Sequence, residues 1–482
     1  MPKKIRPSTS QTEGVIAAKS STHASKLLSI LEKIDQEHIA EPDMFTSERG
    51  YVSLTLFGLL STVVGENMLI IGEPGTGKTT VSKLFASSIY NIPSSVVSAS
   101  MIRGTPEVTL ASMIGYLNPG DFVKGKESVV WRLFPFSPLK IIDEFNRIPP
   151  QKQNILFQGI DKDDAIWEVY SNILIGITSS IFATINYSDE GTSPMSGPIL
   201  DRFGVMVEAS PPPAIHIPDI KIRNPDKKNV DLKQVSYWRK QMNDAVELGD
   251  VVSALEILLS ADKGGERIKL SEMREIREKV YEIANQIPEF AYSSAAGKER
   301  TEESLKAYLF LSYLTAEANY SPFGVKRSTD PLTSTKDHFK GLQFSDVIKF
   351  NLTPRSANSI RLYAAALAFI EGREYVTLKD IVAVAPYCIA HKLVFVDRNK
   401  YLNDAQRSDE YRIFAAKTKI NGVLKRFTET YHLILKYDET LKSLDPKYFT
   451  KNDWKDNMGF DHPMAQKLFD SYKREKLGNR RS

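Results

Sequence analysis

A glycine-rich loop behind a short apolar run is the first segment of this sequence whose residue types and spacing can support chemistry. The loop, GEPGTGKT at 72–79, fits the pattern G-x-x-x-x-G-K-[ST] and stands between a strand-like run and a helical pattern. In that setting backbone N–H groups surround phosphate groups, and the helix dipole adds positive charge. The lysine can contact the β- and γ-phosphates of ATP, and the threonine hydroxyl can bind Mg²⁺. We therefore predict that the following residues bind ATP, with Thr79 also on the metal: Gly72, Glu73, Pro74, Gly75, Thr76, Gly77, Lys78, Thr79 and Thr80.

Two adjacent carboxylates, Asp143 and Glu144, close a second apolar run that begins at Leu139. An aspartate at a strand end can hold Mg²⁺, and a neighbouring glutamate can polarise the attacking water. Alone, such a pair is more often a helix cap or a solvated turn. Together with the phosphate loop, it indicates hydrolysis of a nucleoside triphosphate. Lys140 lies inside the run, and because burial of a charge is costly, we expect it at the solvated start of the strand.

The length and composition of the chain limit the classes of protein to which it can belong. The chain of 482 residues is 42% hydrophobic and 25% charged, with a formal net charge of +4. These values are typical of a folded soluble protein, and at roughly 100–200 residues per domain the length allows two to four domains. No run approaches the ~20 apolar residues that span a bilayer, and the amino terminus lacks the apolar region of a secretory signal. The one cysteine, Cys388, excludes an internal disulfide, so we expect a cytoplasmic protein without a membrane segment.

Apolar runs alternate with helical patterns over the first part of the chain, which predicts a mostly parallel sheet covered on both faces. The runs lie at 68–71, 96–97, 141–142, 181–185 and 205–207. Three prolines at 211–213 then form a rigid break. Beyond them, the pattern is helical at 232–259, 270–286, 302–318, 356–371, 377–393 and 404–444. The sequence therefore predicts an α/β domain followed by helical regions.

Four blocks of the chain resemble AAA+ ATPases and, within that superfamily, the MoxR family. The blocks are GEPGTGKT (72–79), IIDEFNRIPPQKQNILFQGI (141–160), IFATINYSDEGTSPMSGPILDRF (181–203) and LTPRSANSIRLYAAALAFIEGREYVTLKDIVAVAPYCIAHKL (352–393). The resemblance implies an AAA+ P-loop domain with a parallel sheet, an all-α lid and a C-terminal helical extension. On this basis we expect a flexible tail at 1–25, the nucleotide-binding domain at 26–209, a linker and helical insertion at 210–269, the lid at 270–400 and the extension with its basic tail at 401–482.

The resemblance also assigns three further residues to the chemistry. Asn186 matches sensor 1, the polar residue that helps to orient the lytic water, although by position alone it is equally a turn residue. Arg202 matches the arginine finger offered to the nucleotide of the neighbouring subunit, with a surface arginine paired to Asp201 as the alternative. Arg355 matches sensor 2 at the start of a lid helix, and its action in its own or the neighbouring site stays open. Arg147 is a further candidate for reaching across the interface.

Two segments resemble the insertions that set this branch of the superfamily apart. Residues 101–138 carry several glycines and apolar pairs, and in the family this region supplies a hairpin that faces the pore of the ring. Residues 165–178 alternate in a way that predicts a second hairpin before the sensor 1 strand. The alternative for both segments is that they only pack on the same domain and have no separate function. Tyr187 departs from the family, which often has proline there, and the stretch between Arg202 and Arg355 is unusually long.

The resemblance implies a ring, usually of six copies, that hydrolyses ATP with Mg²⁺ to remodel or mature a protein partner. Family members usually act with proteins that contain a von Willebrand factor A domain. Two alternatives stay open, namely an AAA+ nucleic-acid motor similar to MCM or McrB and a nucleotide-gated scaffold with little turnover. A basic, aromatic pore loop would favour the motor, and an incomplete catalytic set would favour the scaffold.

Overall fold

The computed structural model describes residues 9–37, 51–158, 166–177, 179–186, 195–211, 231–261, 267–290, 298–318, 348–349, 352–395, 411–443 and 464. These residues fall into two compact units. The first unit lies within 1–285 and 362–375, and the second within 286–361 and 376–482. Tyr187 and most of the proline break at 211–213 lie outside the described residues.

The strands are β1 (Asn67–Ile71), β2 (Ile102–Arg103), β3 (Gly115–Leu117), β4 (Val129–Trp131), β5 (Leu139–Asp143), β6 (Ile166–Val169), β7 (Asn172–Ile175), β8 (Ser180–Ile185), β9 (Phe203–Glu208), β10 (Ile348–Lys349) and β11 (Val394–Phe395). The helices are α1 (Thr9–Glu37), α2 (Ser53–Val64), α3 (Lys78–Tyr90), α4 (Ser94–Ser100), α5 (Leu110–Met113), α6 (Pro119–Phe122), α7 (Pro150–Gln158), α8 (Gly197–Leu200), α9 (Leu232–Leu248), α10 (Val251–Ala261), α11 (Leu270–Phe290), α12 (Lys298–Ala318), α13 (Pro354–Ile370), α14 (Leu378–Ile389) and α15 (Tyr411–Ser443). Short 3-10 turns occupy Phe134–Phe136, Phe145–Arg147 and Ala390–Lys392.

The central sheet of the first unit joins parallel strands in the order β2-β5-β8-β1-β9. All of β8 and all of β1 beyond its first residue are buried, as expected for a sheet covered on both faces. Because the strands are parallel, the carboxyl ends of β1, β5 and β8 lie at the same edge of the sheet. The predicted parallel α/β sheet is confirmed. The residues that directly follow these three strands at that edge are Gly72, Glu144 and Asn186.

The apolar run at 96–97, predicted as a strand, is helical, so that prediction is wrong. Val96 and Val97 are buried within α4, and Ser100, one turn later, is buried with them. Two apolar residues make too short a run to distinguish a strand from one buried turn of a helix. The adjoining β2 takes the edge of the sheet beside β5 instead.

The helical segment predicted at 232–259 consists of two helices, α9 and α10, which separate at Gly249 and Asp250. α9 packs against α4 and reaches the hairpin formed by β3 and β4. There the Asn243 side chain accepts a hydrogen bond from the Trp131 N–H at 2.8 Å and donates one to the Trp131 carbonyl at 3.1 Å. The helical insertion therefore binds the outer edge of β4.

Two antiparallel hairpins interrupt the α/β alternation of the first unit. β3 pairs with β4 inside the segment 101–138. β6 pairs with β7, which confirms the hairpin predicted within 165–178. Along β6, Trp167 and Val169 are buried while Ile166 is exposed, so one face of this hairpin packs on the domain.

Lys140, expected at the solvated start of its strand, is buried with 1% of its surface exposed, so that prediction is wrong. Its Nζ donates hydrogen bonds to the carbonyls of Ser137 and Ile177, at 3.1 and 2.9 Å, and to the Ser179 hydroxyl at 2.6 Å. Three acceptors match the three N–H groups of an ammonium, which offsets part of the cost of burial. Desolvation still disfavours the charged form and lowers the pKa of Lys140 to about 7.

The second unit is largely helical, as predicted, with α12, α14 and α15 packed together. Phe310 and Tyr313 of α12 lie edge-on to Phe427 of α15, with ring centroids 5.3 and 5.6 Å apart. Beside them, the Arg426 guanidinium donates two hydrogen bonds to the buried carboxylate of Glu317. The helical character predicted for the lid and for the C-terminal extension is confirmed, while their bounds stay a prediction.

Helix α1 begins at Thr9, so the described part of the segment expected as a tail, 1–25, is helical. Lys26 of α1 donates a hydrogen bond to the Glu272 carboxylate of α11 at 2.8 Å. Residues 1–8 lie outside the described part of the chain. None of the described helices is long and apolar enough to cross a membrane.

Candidate active site

The glycine-rich loop joins β1 to α3 at the carboxyl edge of the sheet. Gly77 directly precedes the helix with φ of 85°, a left-handed conformation that favours glycine. Within the loop, the Thr76 hydroxyl donates a hydrogen bond to the Glu73 carbonyl at 2.8 Å. α3 begins at Lys78 and runs for 13 residues, so its N-terminal dipole faces the loop. This is the strand, loop and helix arrangement that phosphate binding requires.

Lys78 folds back onto the loop that precedes it. Its Nζ donates hydrogen bonds to the carbonyls of Gly72 and Glu73, both at 2.7 Å, and the residue is almost fully buried. Burial lowers the pKa of the Lys78 ammonium, and the negative charges of Asp143, Glu73 and Glu144 oppose that shift. The lysine is thus held where phosphate oxygens can replace the two carbonyls as its acceptors.

Thr79 and Asp143 are in direct contact, although 64 positions separate them in the sequence. The Thr79 hydroxyl donates a hydrogen bond to Oδ1 of Asp143 at 2.6 Å. The same oxygen accepts a second hydrogen bond of 2.6 Å from the hydroxyl of Thr184 in β8. Mg²⁺ prefers oxygen ligands and usually takes only one or two carboxylates beside phosphate and water. The donor set of Thr79 and Asp143 therefore fits the expected magnesium ion.

Glu144 has a left-handed backbone conformation, with φ of 52° and ψ of 48°, which residues other than glycine rarely adopt. Its N–H donates a hydrogen bond to the Thr184 hydroxyl at 3.0 Å. On the other side, Gly104 packs so closely that a Cβ at that position would collide with the Glu144 carbonyl. The Glu144 carboxylate lies 3.5 Å from Nε of Arg147. Neighbouring backbone and side-chain contacts therefore hold Glu144 in its unusual conformation.

Asn186 directly follows β8 at the carboxyl edge of the sheet and is half-buried. Its carbonyl accepts a hydrogen bond from the Asn146 side chain at 3.3 Å. With this residue, the structure brings the predicted site residues of the first unit other than Arg202 together at one edge, namely the loop 72–80, Asp143, Glu144 and Asn186.

Arg202 lies at the opposite edge of the sheet. It directly precedes β9, and its carbonyl accepts a hydrogen bond at 3.0 Å from the side chain of Asn67, the first residue of β1. β1 runs for five residues from Asn67 to the phosphate loop, a path of about 15 Å. That path exceeds the reach of an arginine side chain. The structure therefore does not bring Arg202 to the phosphate loop of its own chain.

Arg355 belongs to the second unit and is exposed in the first turn of α13, directly after Pro354. The Ser356 N–H donates a hydrogen bond to the Thr353 hydroxyl at 3.2 Å, which caps the start of the helix. Lys392 donates a further hydrogen bond to the Ser356 hydroxyl at 2.9 Å. These contacts fix the helix start on which the expected sensor 2 residue stands.

Thr184 and Gly104 are site residues that the sequence reasoning missed. A signal for Thr184 was available, since it is a polar residue inside an apolar strand and stands two positions before Asn186, on the same face. Gly104 gave no comparable signal, because its role depends on the approach of β2 to the end of β5. Thr184 could thus have been predicted from the sequence pattern, whereas the role of Gly104 can be recognised only from the fold.

Two family models match this chain. Residues 67–203 match the AAA domain of the dynein-related subfamily, and residues 344–411 match the AAA lid domain. The fold and these matches define the class of the two matched segments: an AAA+ domain followed by an AAA lid domain. The AAA+ fold class predicted from the sequence is confirmed, and ATP is the ligand that this class implies. The finer assignment to the MoxR family stays a prediction.

Similarity to individual proteins is limited. A segment of 187 residues is 24% identical to the mitochondrial Lon protease homolog of Schizosaccharomyces pombe, and it covers 36% of this chain and 16% of that protein. A crystal structure of a Cytophaga hutchinsonii protein provisionally described as an ATPase is 18% identical, with a TM-score of 0.46 over 85% of this chain and 96% of that one. The chain therefore spans only a small part of the curated relative.

Proposed function

We propose that this chain is a MoxR-type ring ATPase that hydrolyses ATP to remodel or mature a protein partner. The observation that carries the proposal is the 2.6 Å hydrogen bond between Thr79 and Asp143, with Lys78 and Glu144 at the same edge of the sheet. The proposed phosphate-binding lysine, the two proposed oxygen ligands for a metal and the proposed base thus lie in one small region, which supports the proposal. This is the set of groups that phosphoryl transfer to water uses.

The phosphate loop and the start of α3 bind the nucleotide. Their N–H groups donate to phosphate oxygens, and the Lys78 ammonium exchanges its two carbonyl acceptors for oxygens of the β- and γ-phosphates. Thr79 and Asp143 would hold Mg²⁺. When bound, Mg²⁺ neutralises charge on the phosphate oxygens.

Glu144 accepts a proton from the attacking water while Asn186 orients that water. The water oxygen forms a bond to the γ-phosphorus as the bond to the ADP oxygen breaks, which gives ADP and phosphate. The proton then passes from Glu144 to solvent. The ion pair of Glu144 with Arg147, at 3.5 Å, loosens when the carboxylate turns to the water.

The position of Arg202 supports the proposed ring. Because its backbone is tied to the far end of β1, its guanidinium serves a nucleotide bound to another copy of the chain rather than its own. Each copy then offers one site and one finger, and repetition of this head-to-tail contact closes into a ring. Six copies are what the family resemblance implies. Arg355, at the start of a lid helix, would report the nucleotide state of its own or the neighbouring site.

Purified full-length chain tests the chemistry directly. We expect phosphate release from ATP that requires Mg²⁺, no nucleotide binding by Lys78→Ala, and nucleotide binding without turnover by Glu144→Gln. The loss for the last variant should be about 100-fold or more, as for removal of a general base. Glu247→Gln, at an exposed position of α9, is the matched control and should keep wild-type turnover. Full turnover in Glu144→Gln would remove the assigned base.

The Glu144→Gln variant also tests the partner, because it should hold ATP and therefore retain what it binds. Affinity isolation of this variant from its native cell should recover a protein with a von Willebrand factor A domain, with Lys78→Ala as the unloaded control. Recovery of nucleic acid, with binding that weakens steeply as the salt concentration rises, would favour the hypothesis of a nucleic-acid motor instead. ATP binding by the wild type without measurable turnover would favour the scaffold.

A further inference from the structure

We propose that Thr184 is a positioning residue for hydrolysis, which sets the orientation of both acidic residues through one hydroxyl. The inference rests on the proposed ATPase function and extends it to a residue for which no role was predicted from the sequence. Thr184 lies in β8, and its side chain is buried. Its Oγ1 donates a hydrogen bond to Asp143 at 2.6 Å and accepts one from the Glu144 N–H at 3.0 Å.

The register of the sheet places this hydroxyl at the end of β5. β5 and β8 run parallel, with Ile142 beside Ala183, so Asp143 and Thr184 occupy the next position on each strand. Adjacent residues of paired strands point to the same face, which brings the hydroxyl to the carboxylate. The contact therefore depends on the central pairing of the sheet and not on a mobile loop.

A threonine hydroxyl has one proton to donate and lone pairs that accept, and here both functions are used. The proton is committed to Asp143 and a lone pair to the Glu144 N–H. Because a β-branched side chain has few χ1 rotamers, the hydroxyl stays in place. One group thus fixes the side chain of the metal-binding residue and the backbone of the adjacent base.

Thr184 shares the carboxylate of Asp143 with Thr79. Oδ1 of Asp143 accepts from two hydroxyls, those of Thr79 and Thr184. The Thr79 hydroxyl, at the start of α3, would give a lone pair to Mg²⁺, whereas the Thr184 hydroxyl stays anchored in β8 and would orient this carboxylate from the sheet. The same hydroxyl stabilises the left-handed backbone conformation of Glu144, with φ of 52°. Loss of the hydroxyl should therefore weaken metal use and turnover together, while phosphate binding by the loop persists.

Two substitutions separate the hydroxyl from the rest of the side chain. Thr184→Val keeps the shape and removes the hydroxyl, whereas Thr184→Ser keeps the hydroxyl and removes the methyl group. Thr62→Val is the matched control, because Thr62 is equally buried, donates to the Gly58 carbonyl at 2.9 Å and belongs to α2 of the same unit. All are made in the full-length chain.

The experiment has two readouts. The first is kcat and KM for ATP at saturating Mg²⁺, and the second is the affinity for a fluorescent ATP analogue in EDTA and then as Mg²⁺ is added. For Thr184→Val we expect unchanged affinity in EDTA, about 10-fold more Mg²⁺ for the same gain in affinity, and kcat lower by roughly 10–100-fold, as for lost partners of metal ligands. Thr184→Ser and Thr62→Val should behave as wild type in both.

Equal Mg²⁺ dependence and equal kcat in Thr184→Val and wild type would overturn the inference. So would an equal loss in Thr184→Ser or in Thr62→Val, or loss of the EDTA affinity in Thr184→Val, because each of these indicates a general structural role. Absence of phosphate release from the wild type would contradict the proposed function alone. In that case the Mg²⁺ titration of nucleotide binding still decides the role of Thr184.

Discussion

The side-chain amide of Asn67 donates a hydrogen bond to the carbonyl of Arg202 at 3.0 Å. Asn67 begins β1, and the phosphate loop follows the other end of that strand. This bond, together with the pairing of β1 with β9, holds the Arg202 backbone at the end of β1 that lies away from the phosphate loop. We therefore expect a finger held there to serve another copy.

Arg202 should act in trans. An arginine finger contributes roughly 10³–10⁵ in rate in well-characterised nucleoside triphosphatases. We expect Arg202→Ala to bind ATP as wild type does and to lose most of its turnover, whereas Lys78→Ala binds no ATP yet still offers its finger. Mixing the two inactive variants in one ring should restore measurable phosphate release where an intact loop meets an intact Arg202.

Arg274→Ala, at an exposed position of α11, is the matched control and should leave turnover unchanged. Sedimentation in ATP must show that the two inactive variants co-assemble. If they do and no activity returns, or if Arg202→Ala alone is fully active, the trans finger is wrong, and Arg147 becomes the arginine to test.

Gly104→Ala should damage the site from the β2 side. The Gly104 N–H donates to the Asp143 carbonyl at 2.7 Å, and an added Cβ would collide with the Glu144 carbonyl, which is backbone and cannot swing aside. We expect a loss of about 1–3 kcal/mol in unfolding free energy, as for overpacking, together with a lower kcat. Urea denaturation and steady-state kinetics measure the two effects.

Gly120→Ala is the control for this change, because a Cβ there would meet only the Asn118 side chain at 3.5 Å. It should leave stability and turnover close to wild type. A Gly104→Ala protein with wild-type stability and kcat would show that β2 does not constrain the end of β5.

Lys140 should give the protein a stability that rises with pH. Its pKa is about 7 in the folded chain, against an ordinary value of 10.5, so between these values the unfolded state binds more protons. Stability therefore increases as pH rises from about 7, with a slope of up to about 1.4 kcal/mol per pH unit from this group. Urea denaturation at pH 6, 7, 8 and 9 should show this slope in wild type relative to Lys140→Met.

The comparison uses the slope, because Lys140→Met also leaves the acceptors at Ser137, Ile177 and Ser179 without their donor. Lys233→Met, at an exposed position of α9, should give a difference from wild type that does not vary with pH. A constant difference between wild type and Lys140→Met from pH 6 to pH 9 would mean that the lysine keeps its ordinary titration.

The tip of the inserted hairpin should serve the partner rather than the chemistry. Phe122 and Val123 are 57% and 87% exposed there and lie in no nucleotide motif. Replacing both by serine should leave basal phosphate release close to wild type and weaken remodelling of the isolated partner. Ile257→Ser on α10, at 69% exposure, is the matched control for loss of an exposed apolar side chain. Equal remodelling by the tip variant and wild type would remove this role.

The parallel sheet and the site residues at its carboxyl edge could be predicted from the sequence, because both follow from local patterns. Each strand that leads to Gly72, Glu144 or Asn186 is an apolar run that ends in a glycine or polar residue, and parallel pairing then brings the ends together. The left-handed backbone of Glu144 was not predictable, since it depends on Gly104, which directly follows β2, and on Thr184 of β8.

The burial of Lys140 was also not predictable from the local sequence. A charge in an apolar run is costly when considered alone, so solvent exposure was the reasonable expectation. The acceptors that permit its burial belong to Ser137, Ile177 and Ser179, and the last two are about forty positions away in the chain. No local sequence pattern predicts that these three hydrogen-bond acceptors lie close together.

The two hydrogen bonds between Asn243 and Trp131 have a consequence for solubility during folding. β4 is the edge of a two-stranded hairpin, and an unpaired edge offers its N–H and carbonyl groups to strands of other molecules. The Asn243 amide occupies both groups of Trp131 and so imitates one residue of a third strand. α9 thereby shields the hairpin from intermolecular pairing, and Asn243→Leu would leave that edge open to aggregation.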